Sequence, residues 1–326
     1  MNFDLIVLII AFLITLICGI IIIPILKKLK VGQIERDDGP ASHLKKQGTP
    51  TMGGIIMTIA IIISVIISYI FLLKEQNGYI GQKLLPLLLI TIGYGLIGFI
   101  DDFKKLVLKN TEGLSPKRKM FGLLIIAVIY VMFLTYGIKI GTETYIPIAK
   151  VYVNMPIYIY IPFAILVILA TTNAVNLTDG IDGLASSVSS IIIACLTVIA
   201  SRGQIYEASI FGSIVIGAIL GFLIFNIHPA KVFMGDTGSL MLGGIIAGLA
   251  LYLKIPILLI LIAIIPVLET LSVILQVIYF KKTGNRLFKM APLHHHFELS
   301  GWKENKIVIV FSLITLIACY IGLKII

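Results

Sequence analysis

The sequence predicts an all-α fold, a polytopic membrane bundle of about ten transmembrane helices with both termini external and one domain over residues 1–326. Three observations lead there. Of 326 residues, 59% are hydrophobic and only 13% charged, whereas soluble domains carry about a quarter charged. Apolar runs long enough to span hydrocarbon, which takes ~20 residues, recur near 4–26, 51–73, 84–100, 120–138, 155–172, 184–201, 207–227, 239–253, 256–280 and 307–326. Finally, Lys and Arg crowd onto one side: the connections 27–50, 101–119, 173–183, 228–238 and 281–306 hold 19 of the 26.

That bias sets the orientation, because basic loops stay in the cytoplasm. The first run has no basic leader and no small-residue cleavage site, so it reads as a retained span. The net charge of +10 marks loops facing anionic headgroups and gives no argument for nucleic acid. Cys18, Cys195 and Cys319 all fall within apolar runs and none sits in a metal-ligand spacing, which argues against a disulfide or zinc role. No internal repeat is visible. Pro266, inside the long ninth run, is placed to bend that helix and open a groove toward lipid. Gly217-x-x-x-Gly221 and Gly244-x-x-x-Gly248 permit close helix packing, within the chain or across a homodimer.

Polar residues gather in the same five connections, which hold eleven of the sixteen acids and all five histidines. In the first, Lys46 precedes Thr51 and Gly53-Gly54. This is either a turn-rich connector or an anion site at a helix start. Asp101-Asp102 ends the third run, where the negative end of a helix dipole disfavours acids by a few tenths of a kcal/mol, roughly. Adjacent carboxylates also repel, so the placement points to function.

Asn173, Asn176, Asp179 and Asp182 recur at every third position, and helical spacing of that kind would keep neighbours on one face. An Asx turn needs one or two such residues, not four. Asp236, between Gly235 and Thr237 at the start of the eighth run, is a hard oxygen ligand where backbone N–H groups face an anion. An ordinary N-cap would look the same. His294, His295 and His296 are consecutive and point different ways, which argues against one zinc ion and for hydrogen bonds to phosphate. Glu269 is the acid buried within a run, functional by default or used in helix pairing.

In this order, the five segments resemble the phospho-N-acetylmuramoyl-pentapeptide-transferases of the polyprenyl-phosphate hexosamine-phosphate transferase superfamily. The resemblance runs along essentially the whole chain. It is carried by the Lys46 to Gly54 stretch, Asp101-Asp102, Asn176-Leu177-Thr178-Asp179-Gly180, Gly235-Asp236-Thr237-Gly238-Ser239 and Pro292-Leu293-His294-His295-His296-Phe297. The last of these selects this family over sister transferases that use UDP-N-acetylglucosamine. A secondary transporter would place its polar residues near the midplane of repeated halves, which is not this pattern.

The resemblance implies an enzyme of cell-wall (peptidoglycan) synthesis in the bacterial plasma membrane, working at the cytoplasmic face. It would move phospho-N-acetylmuramoyl-pentapeptide from UDP to undecaprenyl phosphate with Mg2+ as cofactor. Asp101, Asp102, Asp179 and His294 are then expected to be catalytic, and Asp236 to be the metal ligand. Lys46, Thr51, Lys109, Lys117, Asn173, Asn176, Asp182, Asn226, Phe233, His295 and His296 are expected to bind substrate, with Phe233 stacking on uracil.

Overall fold

The computed structural model describes residues 3–29, 48–106 and 113–326. The expected anion contacts Lys46 and Lys109 lie outside these described residues. The helices are α1 (Phe3–Lys28), α2 (Gly54–Lys74), the short α3 (Gly78–Gln82), α4 (Leu85–Leu106) and α5 (Pro116–Met132). A hairpin of β1 (Glu143–Ile146) and β2 (Val151–Asn154) follows, then α6 (Ile157–Thr178), α7 (Leu184–Arg202), α8 (Tyr206–Asn226) and α9 (Gly235–Tyr252). The chain ends with the one-turn α10 (Leu259–Ile262), then α11 (Ile264–Thr283), the short α12 (Leu293–Glu298) and α13 (Glu304–Ile325).

Nine helices among the described residues are long and apolar enough to cross a membrane. With α9 they make the ten spans read from the apolar runs. Helix α9 is 18 residues long and opens on Gly-Asp-Thr-Gly-Ser, so its apolar stretch is short. It needs no lipid-facing stripe, because every residue from Thr237 to Tyr252 is buried. Helices α2, α4, α6, α7 and α8 surround it. Two close approaches set its N-terminal end. A Cβ on Gly98 of α4 would collide with the Asp236 backbone, and one on Gly54 of α2 with the Gly238 backbone. Only glycine admits that contact.

The ninth apolar run is broken, though not at its proline. Helix α10 stops at Ile262, Ala263 leaves the helical region (φ −102°, ψ 35°), and α11 restarts at Ile264. Pro266 has no N–H to give the Ile262 carbonyl and its ring crowds that group, so the break falls ahead of the proline. The glycine motifs serve internal packing. Gly217 and Gly221 meet the α1 backbone at Leu8 and Phe12, and Gly244 and Gly248 meet Tyr94 and Tyr130. A homodimer gains no support from them.

Candidate active site

The site forms where α9 begins. The chain leading to it is tied down by backbone bonds from residues 50–54. Phe233 N–H donates to Pro50 O at 2.8 Å, Gly53 N–H to Phe233 O at 2.8 Å and Gly54 N–H to Met234 O at 2.9 Å. Asn226 fastens the other side, donating to Val232 O at 3.0 Å and accepting from Ser186 Oγ at 2.7 Å. Asn226 is 3% exposed, so both its bonds lie within the scaffold. Phe233 is held by its backbone with its ring half-buried. Thr51 is buried, and its Oγ1 lies beside Gly235, whose φ of +68° turns the chain into the helix.

Helix α9 presents free N–H groups at this end, and Asp102 takes them. Its carboxylate accepts from Asp236 N–H at 3.1 Å, Thr237 N–H at 2.9 Å and Thr237 Oγ1 at 2.6 Å. An acid that is ill-placed on its own helix end is therefore well placed at the positive end of another. This geometry gives Asp102 a capping role.

Its neighbour Asp101 turns to the other side. Asp101 accepts from Leu114 N–H at 2.7 Å and pairs with Lys105 at 2.7 Å and Lys119 at 3.4 Å. The same two lysines reach Asp236 Oδ2, each at 2.9 Å. Asp236 Oδ1 accepts from Asn176 Nδ2 at 2.8 Å, and Asn176 also touches Ser239 Oγ at 2.8 Å. Two carboxylates and two ammonium groups are thus interlocked at a helix N-terminus.

Asp179 caps α6 beside this cluster and is partly buried. Burial, together with the charges of Asp236, Asp102 and Asp182, pushes its carboxyl well above the ordinary range. Crowding of that kind calls for a cation. An all-oxygen donor set of this kind would fit a hard divalent ion, and Asn176 holds the Asp236 carboxylate in place.

The Asn and Asp series does not form one face. Helix α6 ends at Thr178, so Asn173 and Asn176 are helical while Asp182 lies in the following turn. Asn173 donates to Leu169 O, within its own helix, at 2.7 Å. Asp182 points to a second group: its Oδ2 accepts from Ala230 N–H at 3.0 Å and meets His228 Nδ1 at 2.9 Å. Glu304 Oε2 lies 3.7 Å from the same nitrogen. Among the described residues, ligand atoms of Asp182, His228 and Glu304 lie within 4.8 Å of one another and could also hold a metal.

The three histidines diverge, as their adjacency requires. His294 is buried against Glu269, with Nδ1 3.1 Å from Oε1. His295 Nδ1 meets Glu298 Oε2 at 2.8 Å, and His296 Nδ1 accepts from Lys289 N–H at 3.2 Å.

One expectation shifts by a helix phase. Lys117 is exposed on the first turn of α5, while Lys119 reaches the carboxylates. Residues two apart on a helix stand about 200° around it, so one faces in only if the other faces out. No site role is read from the sequence for Lys105, Ser239, His228 or Glu304. Lys105 had a signal, standing four residues after Asp101. Glu304 had none.

A family model described as glycosyl transferase family 4 matches residues 84–254. A phospho-N-acetylmuramoyl-pentapeptide-transferase of Acetivibrio thermocellus is 46% identical over 316 residues, covering 96% of this chain and 92% of that one. The protein of the same name from Halalkalibacterium halodurans is 48% identical, with 93% and 91% covered. That of Bacillus subtilis is 45% identical, with 96% and 95% covered.

Proposed function

The chain belongs to the phospho-N-acetylmuramoyl-pentapeptide-transferases, and from that premise we propose that it carries phospho-N-acetylmuramoyl-pentapeptide from UDP to undecaprenyl phosphate. UMP and the first lipid-linked peptidoglycan precursor are the products. The reaction takes place at the cytoplasmic face of the bacterial plasma membrane. The observation that carries this reading is the interlocked set Asp101, Asp236, Lys105 and Lys119 at the start of α9, because transfer between two phosphate esters asks mainly for charge neutralisation and alignment.

An oxygen of the lipid phosphate attacks the phosphorus that bears the sugar. The bond from that phosphorus to the bridging oxygen breaks, and UMP leaves. Asp101 faces the attacking phosphate, orienting it and taking any proton it still carries. Lys105 and Lys119 change partners from carboxylate to phosphate as substrates arrive. Magnesium, when bound, would neutralise the pyrophosphate, and Asp236 would hold it, its carboxylate fixed by the Asn176 amide, which Ser239 in turn holds in place. Phe233 stacks on uracil from its pinned loop. Thr51, Asn226 and Asp182 shape the nucleotide pocket around it. His294 to His296 meet anionic groups from α12.

The test is UMP release with undecaprenyl phosphate, magnesium and each UDP-sugar in turn. Turnover with the muramoyl-pentapeptide nucleotide alone supports the reading. Turnover with UDP-N-acetylglucosamine instead would move the chain to a sister specificity.

A further inference from the structure

Glu269 and His294 form a pair that the reaction above does not use in full. Each side chain is 1% exposed. Glu269 Oε1 accepts the His294 backbone N–H at 3.3 Å and faces His294 Nδ1 at 3.1 Å. An oxygen already serving as acceptor assigns the ring proton to Nδ1 and leaves Nε2 as the open nitrogen. Nε2 is buried without a hydrogen-bond partner, as is Glu269 Oε2. A buried polar atom without a partner works against the fold, so a site that keeps one has a use for it.

The direction of Nε2 is fixed by a neighbour. Position 180 has no room for a side chain, because its Cβ would collide with His294 Nε2. Gly180 follows Asp179 at the end of α6, beside the carboxylate cluster. The ring is therefore held from behind by α11 and aimed at the turn that borders the proposed phosphate site.

We propose that Glu269 is a positioning residue for the transfer. It locks His294 so that Nε2, and not Nδ1, faces the substrate at the Asp179-Gly180 turn, where it accepts a hydrogen bond from a proton-bearing oxygen of the incoming phosphate. The role rests on the transferase reading given above. Glu269 touches no substrate and acts only through the imidazole.

A double-mutant cycle tests it, since residues acting as one unit are not additive. Glu269→Leu and His294→Ala should each lower UMP release by roughly 100-fold. The double variant should fall no further than about threefold below His294→Ala. Glu269→Gln keeps the acceptor oxygen and should stay within roughly tenfold of wild type. Gly180→Ala, which displaces the ring from the front, should lose activity and be non-additive with His294→Ala. If Glu269→Leu does not accumulate, Glu269→Gln and Gly180→Ala complete the cycle.

Losses that multiply in the double variant, or a Gln variant as damaged as the Leu variant, would overturn the proposal. The cycle is also read on UDP affinity, which needs no transfer. A wild-type chain that binds UDP yet releases UMP from no UDP-sugar would defeat the transferase reading and leave the positioning cycle readable.

Discussion

The two ends of the bundle use the same side chains to different effect. At the end away from α12, two acids each have their own base. Lys254 pairs with Glu143 of β1 at 2.6 Å, and Lys83 with Glu207 at 3.3 Å, where Tyr252 also donates to Glu207 at 2.9 Å. These are closed pairs that pin the hairpin and α3 to the core. At the start of α9, two lysines are divided between Asp101 and Asp236, while Asp179 stands beside them with its carboxyl pushed above the ordinary range by burial and the neighbouring acids. Shared cations and a surplus of carboxylates are poor stabilisers, because a crowded acid without its own counter-charge works against the fold. That is the difference between charges that hold an end together and charges kept ready for a ligand.

The comparison breaks at once if the ends are assigned to the wrong sides. A cysteine placed at Ile148, the 98% exposed tip between β1 and β2, should react with an impermeant maleimide on intact cells. One placed at Ser300, after α12, should not react until the membrane is opened. Labelling of Ser300→Cys from outside would invert the topology.

Within the site, Asp236→Asn should lower UMP release by 1,000-fold or more, on the order of what removing a preorganised charge costs an active site. It should also remove the magnesium dependence of nucleotide binding. Glu143→Gln, which breaks a closed pair at the other end, should change turnover by less than about twofold. Comparable losses would erase the distinction between the ends.

The lysines sharpen it further. Lys119→Ala should reduce turnover by roughly 10- to 100-fold, because it uncovers two carboxylates together, whereas exposed Lys117→Ala should stay within about threefold. A larger effect at Lys117 would mean that α5 rotates when substrate binds.

What the sequence made legible follows the physics of each feature. The ten spans are visible because the bilayer imposes a length that no soluble core demands, and even α9 keeps its run of Leu, Ile and Ala. Asp101 stands out because an acid at a helix C-terminus is locally unfavourable, and Asp179 and Asp236 because they stand in short polar breaks between apolar runs. Lys119 was hidden for the opposite reason: three basic residues in a row at 117–119 look alike until the phase of α5 is known. The cap that Asp102 makes on α9 joins residues more than 130 positions apart, and no local pattern announces it. Likewise the Asn and Asp series reads as one helical face until the end of α6 at Thr178 splits it between two groups.

Phe233 gives a smaller and more selective effect. Phe233→Ala should weaken UDP binding by ~1–3 kcal/mol, the scale of base–aromatic stacking, and leave lipid-phosphate affinity unchanged. Equal loss for both substrates would make the ring a packing residue.

The smallest effect concerns stability, and it tests the claim that the site end is held against its own repulsion. The Asp179 carboxyl titrates above its unfolded value because of burial and the neighbouring carboxylates. The folded chain therefore binds that proton more tightly than the unfolded chain does. Its contribution to stability is complete below the ordinary carboxylate value, about 3.9, and is lost as pH rises through the elevated folded value. Asp179→Asn removes the charge and with it this loss. In magnesium-free detergent solution the variant should match wild type near pH 4 and melt a few degrees higher near pH 8, even as its transferase activity falls. Added magnesium should raise the wild-type melting temperature at pH 8 and leave the variant less affected. A variant that melts lower than wild type at pH 8 without magnesium would mean that the carboxylate is satisfied in the fold, and the contrast between the two ends would lose its energetic basis.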